Sequence, residues 1–366
     1  MNRYFFYNFI IVSIINLMLY VPHHLVEYRF DGAVASLLIA PIIGGVLIYM
    51  FTSAMARYPG MAVPDILKLH FPSGVVSAFL LFYVVMWWFS STIVAVAYAV
   101  LINRFFNPDA STTVILIILV LASGYAATRS TLTVTLILEI GVIVNAPLTF
   151  FVLFKMVRSP QLNFDAIRVV ANYVTEMPVV STIAAATFIF TGYINLALVN
   201  RLFPPNFRFK FRWVYPILGF IILLVTFFVP IGFHGTEGVD RYIYLWAVTS
   251  DSLSMQYGFI ERVMFLFLLI FLNITLVYTM SGWHHAMEYV KNCSPKYKPE
   301  IDSPKAPISN YVIMGIFAAA CVIYYIVTNE KINYIITTYW LIVRLFAEIV
   351  TVVMIFILSR RRLRPE

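Results

Sequence analysis

Val179–Asn200 reads VVSTIAAATFIFTGYINLALVN, an uncharged apolar run long enough to cross a bilayer, since a spanning helix needs about 20 residues. Thr191-Gly192-Tyr193 sits inside it with Asn195 close behind. Glycine there lowers helix stability by about 1 kcal/mol relative to alanine and lets a backbone or a ligand approach closely. In hydrocarbon, opened backbone survives only where it lines a protein cavity. Two readings fit the segment alone: a discontinuous helix whose break forms part of a solute site, or a continuous helix with glycine at a helix–helix contact. The discontinuous helix is the expectation carried forward.

The rest of the chain supplies the context for such a break. It is 61% hydrophobic and 11% charged, with a mean hydropathy of +0.88, against about 25% charged residues in soluble domains. That composition defines a polytopic membrane protein. Cys293 falls in a polar loop and Cys321 in an apolar span, so no disulfide joins them, and the first apolar run lacks a small-residue cleavage pattern.

Ten apolar segments follow one another at roughly 5–22, 33–56, 74–103, 111–128, 131–157, 179–200, 213–233, 258–284, 307–328 and 333–358. Turn signals such as Tyr58-Pro59-Gly60 and Asn107-Pro108-Asp109 separate them. With both termini cytoplasmic, sixteen Lys and Arg fall inside and eight outside, with Arg344 left within a span; that bias sets the orientation. The formal charge of +8 therefore belongs to the membrane, and the terminal Arg360-Arg361-Arg362-Leu363-Arg364 is a stop-transfer flank, not a nucleic-acid signal. Tyr242–Trp246, in an outer loop, is amphipathic enough for a short interfacial helix or lid. The first span carries polar Asn8, Ser13 and Asn16 and closes at Pro22. Interruptions at matching places in the first and sixth spans point to inverted repeats, one over about 5–157 and one over about 179–358, with 359–366 a basic cytoplasmic tail.

Four stretches, taken in order, resemble the endospore-germination permease family, the B subunits of GerA-type germinant receptors within the amino acid–polyamine–organocation superfamily. They are Phe30-Asp31-Gly32, Arg57-Tyr58-Pro59-Gly60, the Gly124–Arg129 corner followed by a span bearing Glu139, and Tyr257-Gly258-Phe259-Ile260-Glu261-Arg262. The resemblance implies a LeuT-like 5+5 inverted-repeat bundle of ten helices with broken first and sixth spans. It also implies a place in the spore inner membrane, a small germinant such as an amino acid, and A-type and lipoprotein C-type partner subunits. In that fold the solute sits between the first and sixth spans, with the third and eighth around it. The chain departs from the family at Ile15-Asn16-Leu17, where a Gly-x-Gly break is usual, and at Ile194, Met264 and Leu136, where the family usually has Glu, Glu and Arg.

The candidate ligand-binding residues are Ile15, Asn16 and Leu17 in the first span, Trp88 and Ser91 in the third, and Thr191, Gly192, Tyr193 and Asn195 in the sixth. For Asn16 and Asn195 the alternative is an interhelical hydrogen bond worth about 0.6 kcal/mol; for Tyr193, Trp88 and Ser91 it is packing. Glu139 stands as an unpaired acid inside the fifth span, where ionisation costs about 3 kcal/mol on insertion scales. It is a candidate for proton-linked gating or a water path. Arg344 and Glu348, at i and i+4, share a helix face and form a structural pair or a switch. Glu261 and Arg262 are outer-gate contacts or interfacial anchors. His23, His24, Glu27 and His234 are expected in outer loops, with spacing too weak for a metal site. No nucleophile–base set, phosphate loop or CxxC is present, so neither enzyme chemistry nor a cofactor is expected. The functional expectation is a solute-sensing receptor subunit, with a secondary amino-acid transporter, proton-coupled through Glu139, as the alternative.

Overall fold

In hydrocarbon every backbone N–H and C=O needs a partner within the protein, so each apolar segment must wind into a helix. The computed structural model describes residues 2–18, 20–204, 207–253, 263–299, 301–303 and 305–361, and those residues form helices and no strand. The helices are α1 (Asn2–Met18), α2 (Val21–Glu27), α3 (Ala33–Met55), α4 (Val63–His70), α5 (Ser73–Phe105), α6 (Thr112–Ala127), α7 (Thr131–Val157) and α8 (Phe164–Ala171). Then α9 (Val180–Thr187) tightens into a 3-10 stretch over Phe188–Asn195 and continues through α10 (Leu196–Val199). The series closes with α11 (Val214–Gly238), α12 (Leu245–Asp251), α13 (Val263–Asn292), α14 (Ile308–Val327) and α15 (Glu330–Arg361). Among the described residues eight helices are long and apolar enough to cross a membrane, counting Val180–Leu202 as one, and nine if α1 and α2 form one bent span. The chain is an all-helical integral membrane protein.

Two expectations about interruptions need correction. The first span does not open at Ile15-Asn16-Leu17: α1 stays helical through Met18. The turn comes after it, where Asn2–Leu17 and Val21–Glu27 meet at 55°. Pro22, in the first turn of α2, has no N–H to give the carbonyl four residues back, so α1 cannot run on. The sixth span is not split by a gap. It stays one wound rod of 23 residues, tightened where the break was expected.

This rod is the centre of the bundle: 89% of its most apolar window is buried, against 28% for α14 at the periphery. α1 packs along its 3-10 stretch, α3 against α11, α5 along α13, α6 against α14, and α15 against α3 and α9. Contact with α1 depends on Gly192, where an added Cβ would lie 2.3 Å from the Asn8 carbonyl oxygen.

Tyr242–Trp246 leads into the expected short helix, α12, which is packed into the bundle and not laid over it as a lid. Leu245, Trp246 and Ala247 are buried, and the Trp246 indole donates to the Thr226 carbonyl at 3.1 Å. Pro230 lies inside α11 and leaves that carbonyl without its helical donor, so the indole completes α11.

Gly192→Ala is expected to destabilise the protein by at least about 2 kcal/mol, within the usual range for overpacking a tight core. Gly74→Ala, where a Cβ meets nothing within 4 Å, is expected to be neutral. Thermal unfolding in micelles checks both, and equal melting temperatures would show that the Asn8–Gly192 contact simply gives way.

Candidate functional site

A 3-10 helix has 3.0 residues per turn, so side chains three apart stack on one face instead of drifting round the axis. Over Phe188–Asn195 this sorts the side chains into three strips. Gly192 and Asn195 face α1, where the Asn195 amide donates to Asn8 Oδ1 at 2.6 Å. Phe190 and Tyr193 face α3: Cβ atoms added at Gly44 and Gly219 would come within 2.6 and 2.3 Å of the Phe190 ring, and Tyr193 lies 5.5 Å from Phe51, ring to ring. Phe188, Thr191 and Ile194 form the third strip, and all three line a cavity.

That cavity, of about 50 Å³, is completed by Asn195 at the edge of the α1-facing strip, Val12 of α1, Tyr83, Met86, Trp87 and Ser90 of α5, Tyr278 of α13, and Trp340, Arg344, Ala347 and Glu348 of α15. It has room for about three or four waters at 10–15 Å³ each. The α5 contribution follows the i, i+3, i+4, i+7 spacing of one helix face.

Two opposite charges sit in this wall. Arg344 Nη1 and Glu348 Oε2 are 2.8 Å apart, with side chains only 6% and 5% exposed. Arg344 also donates to the Thr191 and Thr187 hydroxyls, each at 3.1 Å, and to the Ala184 carbonyl. The last bond follows from the change of winding. At the end of α9 the Phe188 N–H turns to the Ala185 carbonyl, so the Ala184 carbonyl takes the Thr187 hydroxyl at 3.0 Å and the guanidinium instead. Tyr193 donates to the other Glu348 oxygen, and Arg344 Nε has no hydrogen-bond partner among the described residues. Ser90 and Tyr278 share a hydrogen bond of 2.6 Å across the cavity. Behind Trp87 stacks His285, 4.5 Å between ring centroids, with its Nε2 3.2 Å from the Asn195 carbonyl oxygen.

Polar clusters lie beyond the cavity in both directions. About 15 Å along α13 from Tyr278, at 1.5 Å per residue, Arg201 grips Asp65 through Nε and Nη2 (3.0 and 3.1 Å) and Glu288 through Nη1 (3.2 Å). This lock joins α4, the end of the sixth span and α13. Beside it Lys68 donates to Asn292 at 3.2 Å; burial pulls its ammonium below the ordinary lysine value, while Asp65 acts the other way. At the opposite end, about 16 Å along α15 from Arg344, Asn333 accepts from Tyr324 (2.6 Å) and donates to Tyr20 (3.0 Å), whose hydroxyl lies 3.3 Å from that of Tyr244.

Of the residues singled out in the sequence, Thr191, Asn195, Arg344 and Glu348 come together on the cavity wall. Gly192 and Tyr193 lie behind it on the other strips. Ile15, Asn16 and Leu17 are buried within α1 and do not line it. Trp88 and Ser91 are one residue out of phase: the Trp88 indole donates to the Phe317 carbonyl at 3.2 Å, and Ser91 packs on Gly282 of α13. Glu139 is not unpaired, because Arg3 Nε lies 3.1 Å from its Oε1; the pair fastens the start of α1 to α7, away from the cavity. Glu261 and Arg262 lie outside the described residues. His23 and His24 are not loop residues but are buried on α2, near Glu27 at 3.6 and 3.7 Å. His234 is on α11, bonded to Thr249 at 3.0 Å. No group of three or more potential ligands among the described residues could hold a metal ion. Sequence reasoning missed Tyr83, Tyr278 and Trp340, which carry no signal in a chain with 23 tyrosines, and Arg201, which it counted only as an inside charge.

No protein-family model matches the chain, and no curated protein matches it either. The fold and site define an integral membrane protein of eight to nine apolar spans with a charged, aromatic-walled cavity at its core.

Removing Arg344 alone would leave Glu348 buried without its counter-charge, an expected loss of about 3–5 kcal/mol. Arg344→Met and Glu348→Leu together are expected to lose much less than the sum of the two single changes. A double-mutant cycle on unfolding in micelles reads this directly, and additive losses would mean that the two charges do not act as a pair.

Proposed function

We propose that this protein is the membrane subunit of a spore germinant receptor, binding a small zwitterionic solute, an amino acid, in the cavity between its first and sixth spans. The observation that carries the reading is the cavity itself: a buried cation and a buried anion share one wall with Trp87, Trp340 and Phe188. A zwitterion offers a partner to each charge, and Arg344 Nε still has a bond to give. The receptor assignment rests on the four stretches that resemble germination permeases, with A-type and lipoprotein C-type subunits as partners and the spore inner membrane as the site of action.

The finer architecture in this proposal is ten spans in two inverted repeats of five, both termini cytoplasmic, with the bent α1–α2 pair as the first span and α6 as the fourth. The packing supports it. Each of the first four spans touches the one five places later: α1 the 3-10 stretch, α3 α11, α5 α13, and α6 α14. A short helix also follows the second and the seventh span alike, α4 in one half and α12 in the other. Solute in the cavity would bias the arrangement of the 3-10 rod, and partner subunits would read that bias.

A second reading, a secondary amino-acid transporter, is favoured by the two polar clusters on opposite sides of the cavity, which would serve as the two gates that alternating access requires.

A deletion strain challenged with amino acids, sugars and nucleosides identifies the germinant. Thr191→Trp, which fills the cavity, is expected to abolish that response while the protein still accumulates in spores. Normal germination in that strain would sink the cavity as the sensing site. Uptake of the same labelled solute into vesicles would move the protein to the transporter class.

A further inference from the structure

Between α1, α7 and α11 runs a second hollow, a groove of about 300 Å³. Its α7 wall is Ala146, Thr149, Phe150, Leu153, Phe154 and Val157, an unbroken i, i+3, i+4 stripe. Thr149 turns its hydroxyl back to the Asn145 carbonyl at 2.9 Å and so presents its methyl group. Ile10, Ser13, Ile14 and Leu17 of α1 face it, and Leu218, Ile221, Ile222 and Val225 of α11 close the far side.

Three features say what fills this groove. Ala146 to Val157 spans about 16 Å at 1.5 Å per residue, half of a hydrocarbon core of about 30 Å; the groove is one leaflet long. Its walls carry large side chains, with Phe150 70% and Ile221 52% exposed, whereas helices pack on one another in membranes through small residues. At one end the Arg158 guanidinium lies 4.7 Å from the ring centroid of Phe154, itself a groove residue, and among the described residues it pairs with no carboxylate.

We propose that the groove is a phospholipid site: one acyl chain lies between α1, α7 and α11, and its phosphate sits on Arg158. A flexible chain fits between bulky side chains that would hold off a helix, and a guanidinium is suited to forked hydrogen bonding with phosphate oxygens. The chain backs the face of α1 that carries Ile10, Ser13 and Ile14, while Val12 of the same helix lines the central cavity. Lipid in the groove therefore holds the first span against the 3-10 rod.

Native mass spectrometry of the full chain, extracted in mild detergent and re-equilibrated with phosphatidylglycerol, tests this. Wild type is expected to retain about one phospholipid per chain. Ala146→Trp and Ile221→Trp, which fill the groove from opposite walls, are each expected to lower retention about tenfold, as is Arg158→Gln, a change equivalent to about 1.4 kcal/mol. The fillers stand on different helices, so a folding failure of one leaves the other to decide. No retained lipid in wild type, or undiminished retention in a folded filler, would overturn the proposal. So would a stable dimer cross-linked through Leu153→Cys, since a second copy would then cover the groove.

Discussion

A carbonyl oxygen in hydrocarbon must find a donor, and where the sixth span passes from α to 3-10 winding its backbone N–H groups skip one. When α9 tightens at Phe188, the Ala184 carbonyl is left to the Thr187 hydroxyl and the guanidinium of Arg344, and further along the carbonyl of Asn195 also faces a ring nitrogen of His285. The tight winding survives because α1, α13 and α15 bring polar groups to it at membrane depth. Unsatisfied, each such group would cost several kcal/mol. The 3-10 rod and the polar side chains around it therefore stabilise one another.

The same winding builds the cavity. Three residues per turn place Phe188, Thr191 and Ile194 in one strip, whereas α-helical winding would swing successive members of that set away from each other. Gly192 and Asn195, on the next strip, hold α1 at backbone distance. The remaining strip, Phe190 with Tyr193, is clamped against α3 and α11. A change of winding from 3-10 to α would rotate all three strips at once, altering the cavity wall, the α1 contact and the Tyr193–Glu348 bond together. That coupling gives occupancy of a small pocket a means of moving whole helices, because packed interfaces shift between discrete arrangements.

Charge is placed with similar economy. Arg344 and Glu348 bear the desolvation of two ions inside the bundle, which a neutral pair of equal volume would avoid; a site that must meet a charged solute gives a reason to keep them. Arg201 with Asp65 and Glu288, and the tyrosines around Asn333, tie helices together well away from the cavity in opposite directions. Arg3 with Glu139 fastens the start of α1 to α7. The Arg201 and Arg3 pairs join helices distant in sequence, whereas Arg344 and Glu348 stand on one helix.

The sequence by itself determined that this chain lives in a membrane, where its helices lie, and that Thr191, Asn195, Arg344 and Glu348 are polar residues in places where lipid does not tolerate them. Those inferences need only composition, length and the cost of burying charge, all local quantities. It misplaced the first bend by a few residues because Pro22 acts four residues upstream of itself, and it chose Trp88 and Ser91 over Trp87 and Ser90 because helical phase relative to a cavity is set by the neighbours. Only the tertiary structure decided that the sixth span tightens instead of opening, that Glu139 meets Arg3, and that Arg201 meets Asp65 and Glu288. Each is a contact between residues far apart in the chain, and its geometry depends on how the helices pack.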